Sequence, residues 1–276
     1  MSGKLYLCGT PIGNLEDITF RVLETLKSCD VVYAEDTRHS IRLLNHFGIS
    51  KPLHSYHDHN QEQAGNEIIS KVQMGEKVAL VTDAGMPGIS DPGENLVVKC
   101  IESDTPFEII PGVTAFSMAL VGSGFSTGQF VFEGFLSRDK RQKRKHIERL
   151  KFEGRTLLFY ESPHRLKETL KLLYEGLGDR KAVVARELTK KFETFQRGSL
   201  SELMTFYDSE TVKGEIVIVL EGSSNDTEPV LDFSEVPIKE RYESLVESGL
   251  DNKEAMKMIA KERNMKKSDV YSLLLE

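Results

Sequence analysis

The first 124 residues alternate short apolar runs with segments of helical periodicity. Five runs, at residues 5–8, 31–34, 53–56, 78–81 and 107–110, predict strands, and an amphipathic stretch follows each of them. Asp17 is predicted to cap the first helix, and Gly48 is predicted to end the second. This alternation is typical of a parallel sheet covered by helices.

The pattern changes after residue 129. Runs at residues 130–135, 156–160, 182–186, 192–197 and 215–220 predict five further strands with fewer helices between them, which indicates a mixed sheet. Residues 221–236 contain five acidic residues and no basic ones, as an exposed linker would. Three short helical patterns follow, with a tight turn around Asn264, and resemble a helix-turn-helix.

This pattern predicts three parts. We expect an α/β domain at residues 1–124, a second α/β domain at residues 125–221, and a linker with a helical domain at residues 222–276. The apolar runs are far shorter than the ~20 residues that a membrane span needs, and Pro11 interrupts the first of them, so we expect a cytoplasmic protein. Three widely spaced cysteines predict neither a disulfide framework nor a zinc site.

Charge is unevenly distributed along the chain. The net charge is −7, but residues 138–151 contain eight basic and two acidic residues, which leaves −13 on the remainder. Because few acidic residues in this segment can pair with the basic ones, we expect a phosphate-rich partner there, and possible further contacts at residues 261–267. A solvated helix face is the alternative. The candidate RNA-binding residues are Arg138, Lys140, Arg141, Lys143, Arg144 and Lys145.

Three loops rich in glycine and proline follow the first, fourth and fifth predicted strands. They span residues 9–14, 83–88 and 111–114 and lack the GxGxxG and GK[ST] elements of nucleotide-binding loops. Because the carboxyl ends of parallel strands meet at one edge, these loops predict a ligand crevice there.

Polar side chains are concentrated near the same edge. Five of the seven histidines lie between His39 and His59, which suggests either a metal site or a polar lining for an anionic substrate. On a strand, His57 and His59 would share a face while His54 points to the other, so we favour the polar lining. Charged segments at residues 35–38, 161–165 and 186–191 also follow predicted strands, and either cap helices or carry function.

These segments together resemble the tetrapyrrole-methylase-like (class III) S-adenosylmethionine-dependent methyltransferases, and within them the branch that acts on small-subunit ribosomal RNA. The resemblance extends over nearly the whole chain. Its motifs are at residues 10–19, 34–39, 57–60, 82–85, 91–93, 111–112, 133–136, 159–162, 185–190 and 213–215.

The resemblance implies methyl transfer from S-adenosylmethionine to the ribose 2′-hydroxyl of a cytidine in the decoding region of 16S rRNA, in the small ribosomal subunit. It also implies two α/β domains with the cofactor in the cleft between them, a small helical C-terminal domain, and a homodimer. The alternatives are a class III methylase of a tetrapyrrole-like small molecule, a non-catalytic nucleic-acid-binding module, and a metal hydrolase built on the histidines.

Site residues follow from the same resemblance. Glu161 and Glu187 are possible bases for the weakly acidic hydroxyl, Arg38 and Lys190 are phosphate or alkoxide partners, and His57 is an alternative base. No metal is expected. The implied cofactor-binding residues are Pro11, Asp83, Ala84, Gly85, Ile89, Thr114, Ala115, Tyr160, Leu188 and Gly214.

Overall fold

The structure is a computed structural model that describes residues 3–224, 236–247, 250–263 and 265–275. It contains two compact units, Met1–Ser224 and Asn225–Glu276. The first unit holds two β-sheets with their helices, and the described part of the second unit is helical. Among the described residues, no helix has the length and apolar character needed to cross a membrane.

The first sheet has five parallel strands, as predicted, and their order is β3-β2-β4-β1-β5. Alternate residues of the buried strands point to opposite faces, so Leu7 packs with α3 and α4 while Val32 packs with α1 and α2. The elements are β1 (Lys4–Cys8), a 3-10 turn (Leu15–Asp17), α1 (Phe20–Ser28), β2 (Val31–Ala34), α2 (Thr37–His46), β3 (Leu53–Ser55), α3 (Gln61–Gln73), β4 (Lys77–Val81), α4 (Glu94–Glu102), β5 (Phe107–Ile110) and α5 (Ala115–Ser123).

The second sheet is mixed, with the order β6-β7-β10-β8-β9, and only β6 and β7 run parallel. Helices α6, α7 and α8 cover one face and α5 covers the other. The elements are β6 (Phe130–Phe135), α6 (Lys140–Arg149), β7 (Thr156–Glu161), α7 (Leu166–Leu177), β8 (Lys181–Arg186), β9 (Thr194–Ser199), α8 (Leu200–Ser209) and β10 (Ile216–Leu220).

Helix α5 links the two sheets. It contains no charged residue, and its Ala119 and Leu120 are buried against Val217 and Val219 of the second sheet. The predicted domain boundary after residue 124 therefore assigns to the first domain a helix that forms part of the core of the second sheet.

Two local predictions were wrong. Thr19, not Asp17, caps α1, because its side chain accepts a hydrogen bond from the backbone N–H of Val22 (3.2 Å). Asp17 ends a separate 3-10 turn that Asn14 caps. His57 and His59 are not on a strand, because β3 ends at Ser55 and a turn follows.

The prediction for Gly48 was correct. This glycine follows Phe47, the C-cap of α2, with a φ of 65°, a left-handed conformation in which glycine avoids the strain of a side chain.

The second unit forms its own small core. Its helices are α9 (Ile238–Glu247), α10 (Asn252–Glu262) and α11 (Lys267–Leu275), and Leu245, Ile259 and Val270 are buried between them. A two-pronged ion pair between Arg241 and Glu262 (2.7 and 3.2 Å) joins α9 to α10. Most of the predicted linker, residues 225–235, and the turn at Asn264 lie outside the described residues.

Candidate active site

The three glycine-rich loops form one continuous floor at the carboxyl edge of the first sheet. The backbones of Thr10 and Gly85 exchange two hydrogen bonds (2.8 and 3.1 Å), which join the first loop to the second. Gly9 and Gly112 pack directly together, since a Cβ on either would lie 2.6 to 2.7 Å from the Cα of the other. Side chains at these positions would force the loops apart, so the close packing requires glycine.

An apolar cavity of about 290 Å³ lies above this floor. Loops from the first sheet form one wall, and the ends of β7 and β10 with the loop after β8 form the other. The lining residues are Ile12, Ala84, Gly85, Met86, Ile89, Ser90, Asp91, Thr114, Ala115, Phe135, Tyr160, Glu161, Ser162, Pro163, Leu188, Gly214, Glu215, Ile216 and Val217.

A second, more polar cavity of about 490 Å³ adjoins the first. The two share Ile12, Ala84 and Glu215 as a common wall. One side of the polar cavity is a face of α2, and Lys190 lies on another. The lining residues are Thr10, Pro11, Ile12, Gly13, Leu15, His39, Ser40, Arg42, Leu43, His46, Thr82, Asp83, Ala84, Lys190 and Glu215.

The structure brings the ten implied cofactor-binding residues to these two cavities. Pro11 and Asp83 line the polar cavity, and Ala84 lines both. The others line the apolar cavity; they are Gly85, Ile89, Thr114, Ala115, Tyr160, Leu188 and Gly214.

Tyr160 also joins the two walls of the apolar cavity. Its hydroxyl accepts a hydrogen bond from the backbone N–H of Phe116 on α5 (3.3 Å). Burial raises the pKa of this tyrosine to about 12, so its hydroxyl stays neutral at physiological pH.

Several carboxyl groups lie close to one another on or near the linings of the two cavities. Burial, together with the nearby carboxylates of Glu35, Asp83 and Glu215, raises the pKa of Asp91 to about 7. Burial and Asp83 likewise raise the pKa of Glu35. Because these groups repel one another's negative charge, the site favours a positively charged ligand.

Glu187 and Lys190 meet Glu215 at the edge of the polar cavity. The Lys190 ammonium lies 3.0 Å from Glu187 and 3.1 Å from Glu215, and Glu187 also accepts the backbone N–H of Glu215 (3.1 Å). Burial alone would raise the pKa of Glu187, but these hydrogen bonds hold it below its ordinary value. Glu187 is therefore a weak base that fixes Lys190 in place.

The backbone around Glu187 is strained. Glu187 and Thr189 have φ values of 53° and 66°, which residues with side chains rarely adopt. Ser90, on the lining of the apolar cavity, has a φ of 64°. Strain of this kind concentrates at functional sites, where the surrounding structure holds it in place.

Glu161 does not have the geometry of a general base. It is only 3% exposed, and both carboxylate oxygens are occupied, by Thr169 (2.5 Å) on one side and by Arg165 (3.3 Å) and the backbone N–H of Ser162 (2.8 Å) on the other. A carboxylate enclosed in this way cannot reach a substrate proton. Glu161 instead supports the adjacent Tyr160 and Ser162, which line the apolar cavity.

Lys143 was also assigned wrongly, as an RNA contact. It is 3% exposed, and its ammonium donates a hydrogen bond to Thr169 (2.9 Å) and lies 4.0 Å from Glu161. Burial lowers the pKa of Lys143 from its ordinary value, although the Glu161 carboxylate opposes this shift. Its side chain belongs to the core under α6.

The other predicted RNA-binding residues lie on the exposed side of α6 and just before it. Carboxylates of α7 pair with two of them, since Lys140 lies 3.2 Å from Glu168 and Arg144 lies 3.9 Å from Glu175. Within the described part of the chain, Arg141 and Lys145 have no ion-pair partner, and Arg138 is likewise unpaired there.

Arg38 and His57 stand apart from both cavities. Arg38 projects into solvent and forms a two-pronged ion pair with Asp36 (2.7 and 3.0 Å), which itself caps α2. His57 lies in the turn after β3, where its backbone N–H donates to Asn60 (2.8 Å). Neither belongs to the lining that the described residues form, so the roles assigned to them in catalysis lose their geometric basis.

Sequence reasoning missed several lining residues. Asp91 lies in the motif at residues 91–93 and Glu215 in the motif at residues 213–215, but no role in the site was predicted for either residue. His39, Arg42 and His46 share one face of α2, and their spacing along a helix was the signal that could have found them. Among the described residues, no group of three or more histidine, cysteine, aspartate or glutamate side chains is placed to hold a metal ion.

A parallel and a mixed sheet that enclose a cleft over glycine-rich loops define a two-domain α/β methyltransferase. A model of the tetrapyrrole (corrin/porphyrin) methylases matches residues 4–204. The chain is 45% identical to ribosomal RNA small subunit methyltransferase I of Bacillus subtilis (strain 168), over 98% of this chain and 93% of that protein. It is 47% identical to the protein of that name from Thermotoga maritima, over 80% of this chain and 99% of that one. The chain therefore belongs to the tetrapyrrole methylase family, in the group of these relatives.

Solved structures show the same fold. The methyltransferase CobJ matches with a TM-score of 0.62 at 18% identity, over 81% of this chain and 95% of that one. Uroporphyrin-III-C-methyltransferase from Thermus thermophilus matches with a TM-score of 0.55 at 20% identity, over 80% of this chain and 93% of that one.

The cofactor of this family is S-adenosylmethionine, and the residues of the cleft fit it. Apolar walls at Ile89, Leu188 and Ile216 suit an adenosine, and the carboxyl groups around Asp91 suit a cationic sulfonium. Exposed backbone groups of the glycine-rich loops offer hydrogen bonds to the polar parts of the ligand.

Proposed function

We propose that this methyltransferase modifies the ribose 2′-hydroxyl of a cytidine in the decoding region of 16S rRNA, on the small ribosomal subunit. The observation that carries the proposal is the pair of adjoining cavities, one apolar and acidic at its edge, the other polar and lined by cationic side chains. A methyl donor and a nucleotide need such neighbouring sites. The relatives named for small-subunit ribosomal RNA supply the substrate class.

The apolar cavity would hold the methyl donor. When bound, S-adenosylmethionine supplies an electrophilic methyl group on a positively charged sulfur. Tyr160, Leu188 and Ile89 would enclose its adenosine, while Gly85 and Thr114 would bind its polar groups. Asp83 lines the polar cavity and would meet the donor only beside the wall that the two cavities share. These residues exclude water and align the donor with the acceptor, which is the main contribution a protein makes to a direct displacement.

We propose Asp91 as the base for the acceptor hydroxyl. It lines the cavity of the methyl donor, and its pKa of about 7 lets it be ionised and still take up a proton near neutral pH. Glu161 is enclosed and Glu187 is held in an ion pair, so neither offers a free carboxylate. Lys190, on the polar cavity, would stabilise negative charge as it develops on the ribose oxygen.

The exposed side of α6 would bind the RNA backbone. Arg138, Arg141 and Lys145 have no ion-pair partners among the described residues, so their charges remain available to phosphates. Lys140 and Arg144 contribute less, because carboxylates of α7 already face them.

We also propose a cytoplasmic homodimer, since ribosomal subunits are cytoplasmic and the first unit has apolar surface to cover. Val121 on α5 is 75% exposed, and Phe116 on the same helix lies against the partly exposed Phe130 (6.2 Å between rings). A second copy of the chain would remove these groups from water.

The direct test is methyl transfer from radiolabelled S-adenosylmethionine. The purified chain is incubated with small ribosomal subunits that lack the modification, with naked 16S rRNA, and with a tetrapyrrole substrate, and labelled RNA is digested and mapped by mass spectrometry. We expect one labelled cytidine in the decoding region, with the methyl group on the 2′-oxygen. Measurable cofactor binding without any label in RNA would refute the proposal, and label in the tetrapyrrole would favour a small-molecule methylase.

A further inference from the structure

We propose that the polar cavity binds the single nucleotide that is to be methylated, with its phosphate against the face of α2 formed by His39, Arg42 and His46. This inference rests on the proposed function and names the subsite at which the RNA acceptor is held. It differs from the basic surface of α6, which would contact the RNA backbone elsewhere.

The spacing of the three side chains along α2 places them on one face. They are separated by three and four residues, which is close to one helical turn in each step, and all three are exposed and line the polar cavity. Arg42 has no hydrogen-bond or ion-pair partner among the described residues. A guanidinium free on a cavity wall can bind a phosphate through two parallel hydrogen bonds.

Thr82 gives an independent indication that a ligand belongs in this cavity. It is only 2% exposed, it lines the polar cavity, and its hydroxyl has no hydrogen-bond partner among the described residues. A buried hydroxyl without a partner is unfavourable, and most such groups in proteins are satisfied by water or a ligand. A bound ribose or base would provide the missing hydrogen bond.

The position of the cavity fits an acceptor. Ile12, Ala84 and Glu215 separate it from the apolar cavity, so a group bound against them lies next to the methyl donor. The charges within it are also divided. Lys190 is already paired with Glu187 and Glu215 at the shared wall, whereas Arg42 on α2 has no ion-pair partner among the described residues. A nucleotide therefore fits with its phosphate at α2 and its ribose at the shared wall.

The first experiment measures nucleotide binding without catalysis. Cytidine 5′-monophosphate and cytidine are titrated by calorimetry into the chain saturated with S-adenosylhomocysteine. We expect the phosphate-bearing probe to bind about tenfold more tightly than cytidine, and Arg42→Glu to abolish that preference. Lys27→Glu is the matched control, because it reverses one charge on α1 at a side chain whose partner is Glu24 (3.3 Å). Equal binding of cytidine 5′-monophosphate by wild type and Arg42→Glu, or no saturable binding by wild type, overturns the proposal.

Thr82→Val keeps the shape of the side chain and removes only the hydroxyl. We expect it to weaken binding of cytidine 5′-monophosphate severalfold while the thermal midpoint of the free chain does not fall, since the hydroxyl has no partner to lose. A lower thermal midpoint with unchanged nucleotide affinity would show that the hydroxyl serves the fold and would remove this support.

Activity separates this inference from the proposed function. With small ribosomal subunits as substrate, Arg42→Glu should lower kcat/KM at least about tenfold while the affinity for S-adenosylmethionine is unchanged. Full activity of Arg42→Glu overturns the subsite and leaves the proposed function intact. If wild type binds cytidine 5′-monophosphate through Arg42 but methylates no RNA, the subsite stands and the proposed acceptor is wrong.

Discussion

Asp91 illustrates how much a single residue depends on neighbours far away in the chain. It follows β4, and the carboxylates that raise its pKa include Glu35 after β2 and Glu215 before β10. Only the assembled fold brings these groups together. The sequence motif at residues 91–93 marks the position, but no local pattern predicts a carboxyl group that titrates near neutral pH.

The raised pKa makes the stability of the chain depend on Asp91 in a defined direction. Between the ordinary pKa of an aspartate and about 7, the folded chain keeps a proton that the unfolded chain has lost, so stability falls as pH rises through that range. Asp91→Asn removes this penalty. We expect the variant to unfold with a free energy higher by on the order of 2 kcal/mol at pH 8 and nearly unchanged at pH 4, as measured by urea titration.

Activity should respond in the opposite sense. If Asp91 is the base, kcat/KM of wild type rises with pH through about 7, and Asp91→Asn has a flat profile with kcat/KM lower by about 10²-fold or more. Glu94→Gln, an exposed carboxylate at the start of α4, serves as the control. An unchanged pH profile in Asp91→Asn would rule out its role as the base.

At the scale of elements, the apolar runs were sufficient to locate the strands. The runs at residues 31–34, 107–110 and 130–135 coincide with β2, β5 and β6. All of β2 is apolar and buried, as in a sheet covered on both faces, whereas β5 and β6 are edge strands that each include one glutamate. Helix starts were less predictable. Asp17 and Thr19 are both residue types that cap helices well. Thr19 caps α1 because Asp17 belongs to a separate 3-10 turn, which Asn14 caps.

Helix α6 shows why composition alone misplaces a residue. Its basic residues look equivalent in sequence, yet α7 and β7 bury Lys143 by supplying Thr169 and Glu161, while Arg141 and Lys145 stay in solvent. One face of α6 therefore packs in the core, and we expect another face to bind a partner. The helical periodicity of this segment was visible in the sequence. A buried lysine is rare, however, so the burial of Lys143 could not be predicted without knowing that a carboxylate lies beside it.

This division predicts different outcomes for substitutions on α6. The double substitution Arg141→Glu and Lys145→Glu should weaken binding to small ribosomal subunits. It should also reduce the slope of log K against the logarithm of salt concentration by about two, while stability and cofactor affinity are preserved. Lys143→Met should instead lower the free energy of unfolding by on the order of 2 kcal/mol, since it leaves the buried Glu161 with fewer partners. Filter binding over a salt series and urea titration measure the two effects.

A matched double reversal on α1, Arg21→Glu with Lys27→Glu, controls for net charge. Equal loss of RNA affinity in this control would mean that overall charge, rather than the surface of α6, governs binding.

At the scale of the whole molecule, the two units have separate cores. The second unit packs Leu245, Ile259 and Val270 among its own helices, and both cavities lie wholly within the first unit. The relative from Thermotoga maritima aligns over 99% of its length with only 80% of this chain. About a fifth of this chain therefore has no counterpart in that relative. A methyltransferase site of this type therefore does not require a chain of the present length.

Removal of the second unit should leave the methyl-donor site intact. We expect a chain that ends at Ser224 to fold, to bind S-adenosylmethionine with an affinity within about threefold of the full chain, and to melt in one cooperative transition. Calorimetry of binding and unfolding measures both quantities. Loss of cofactor binding in a folded truncated chain would show that the second unit contributes to the site.

The carboxyl groups around Asp91 also bear on turnover. If S-adenosylmethionine binds in the apolar cavity, as we propose, methyl transfer would convert its cationic sulfonium into a neutral thioether, while the carboxylates of Glu35, Asp83 and Glu215 would remain where they are. The electrostatic attraction between the sulfonium and these carboxylates would therefore be lost in the step that consumes the donor. We therefore expect the spent cofactor to bind less tightly than the methyl donor, held by its adenosine contacts alone, and product inhibition to be weak.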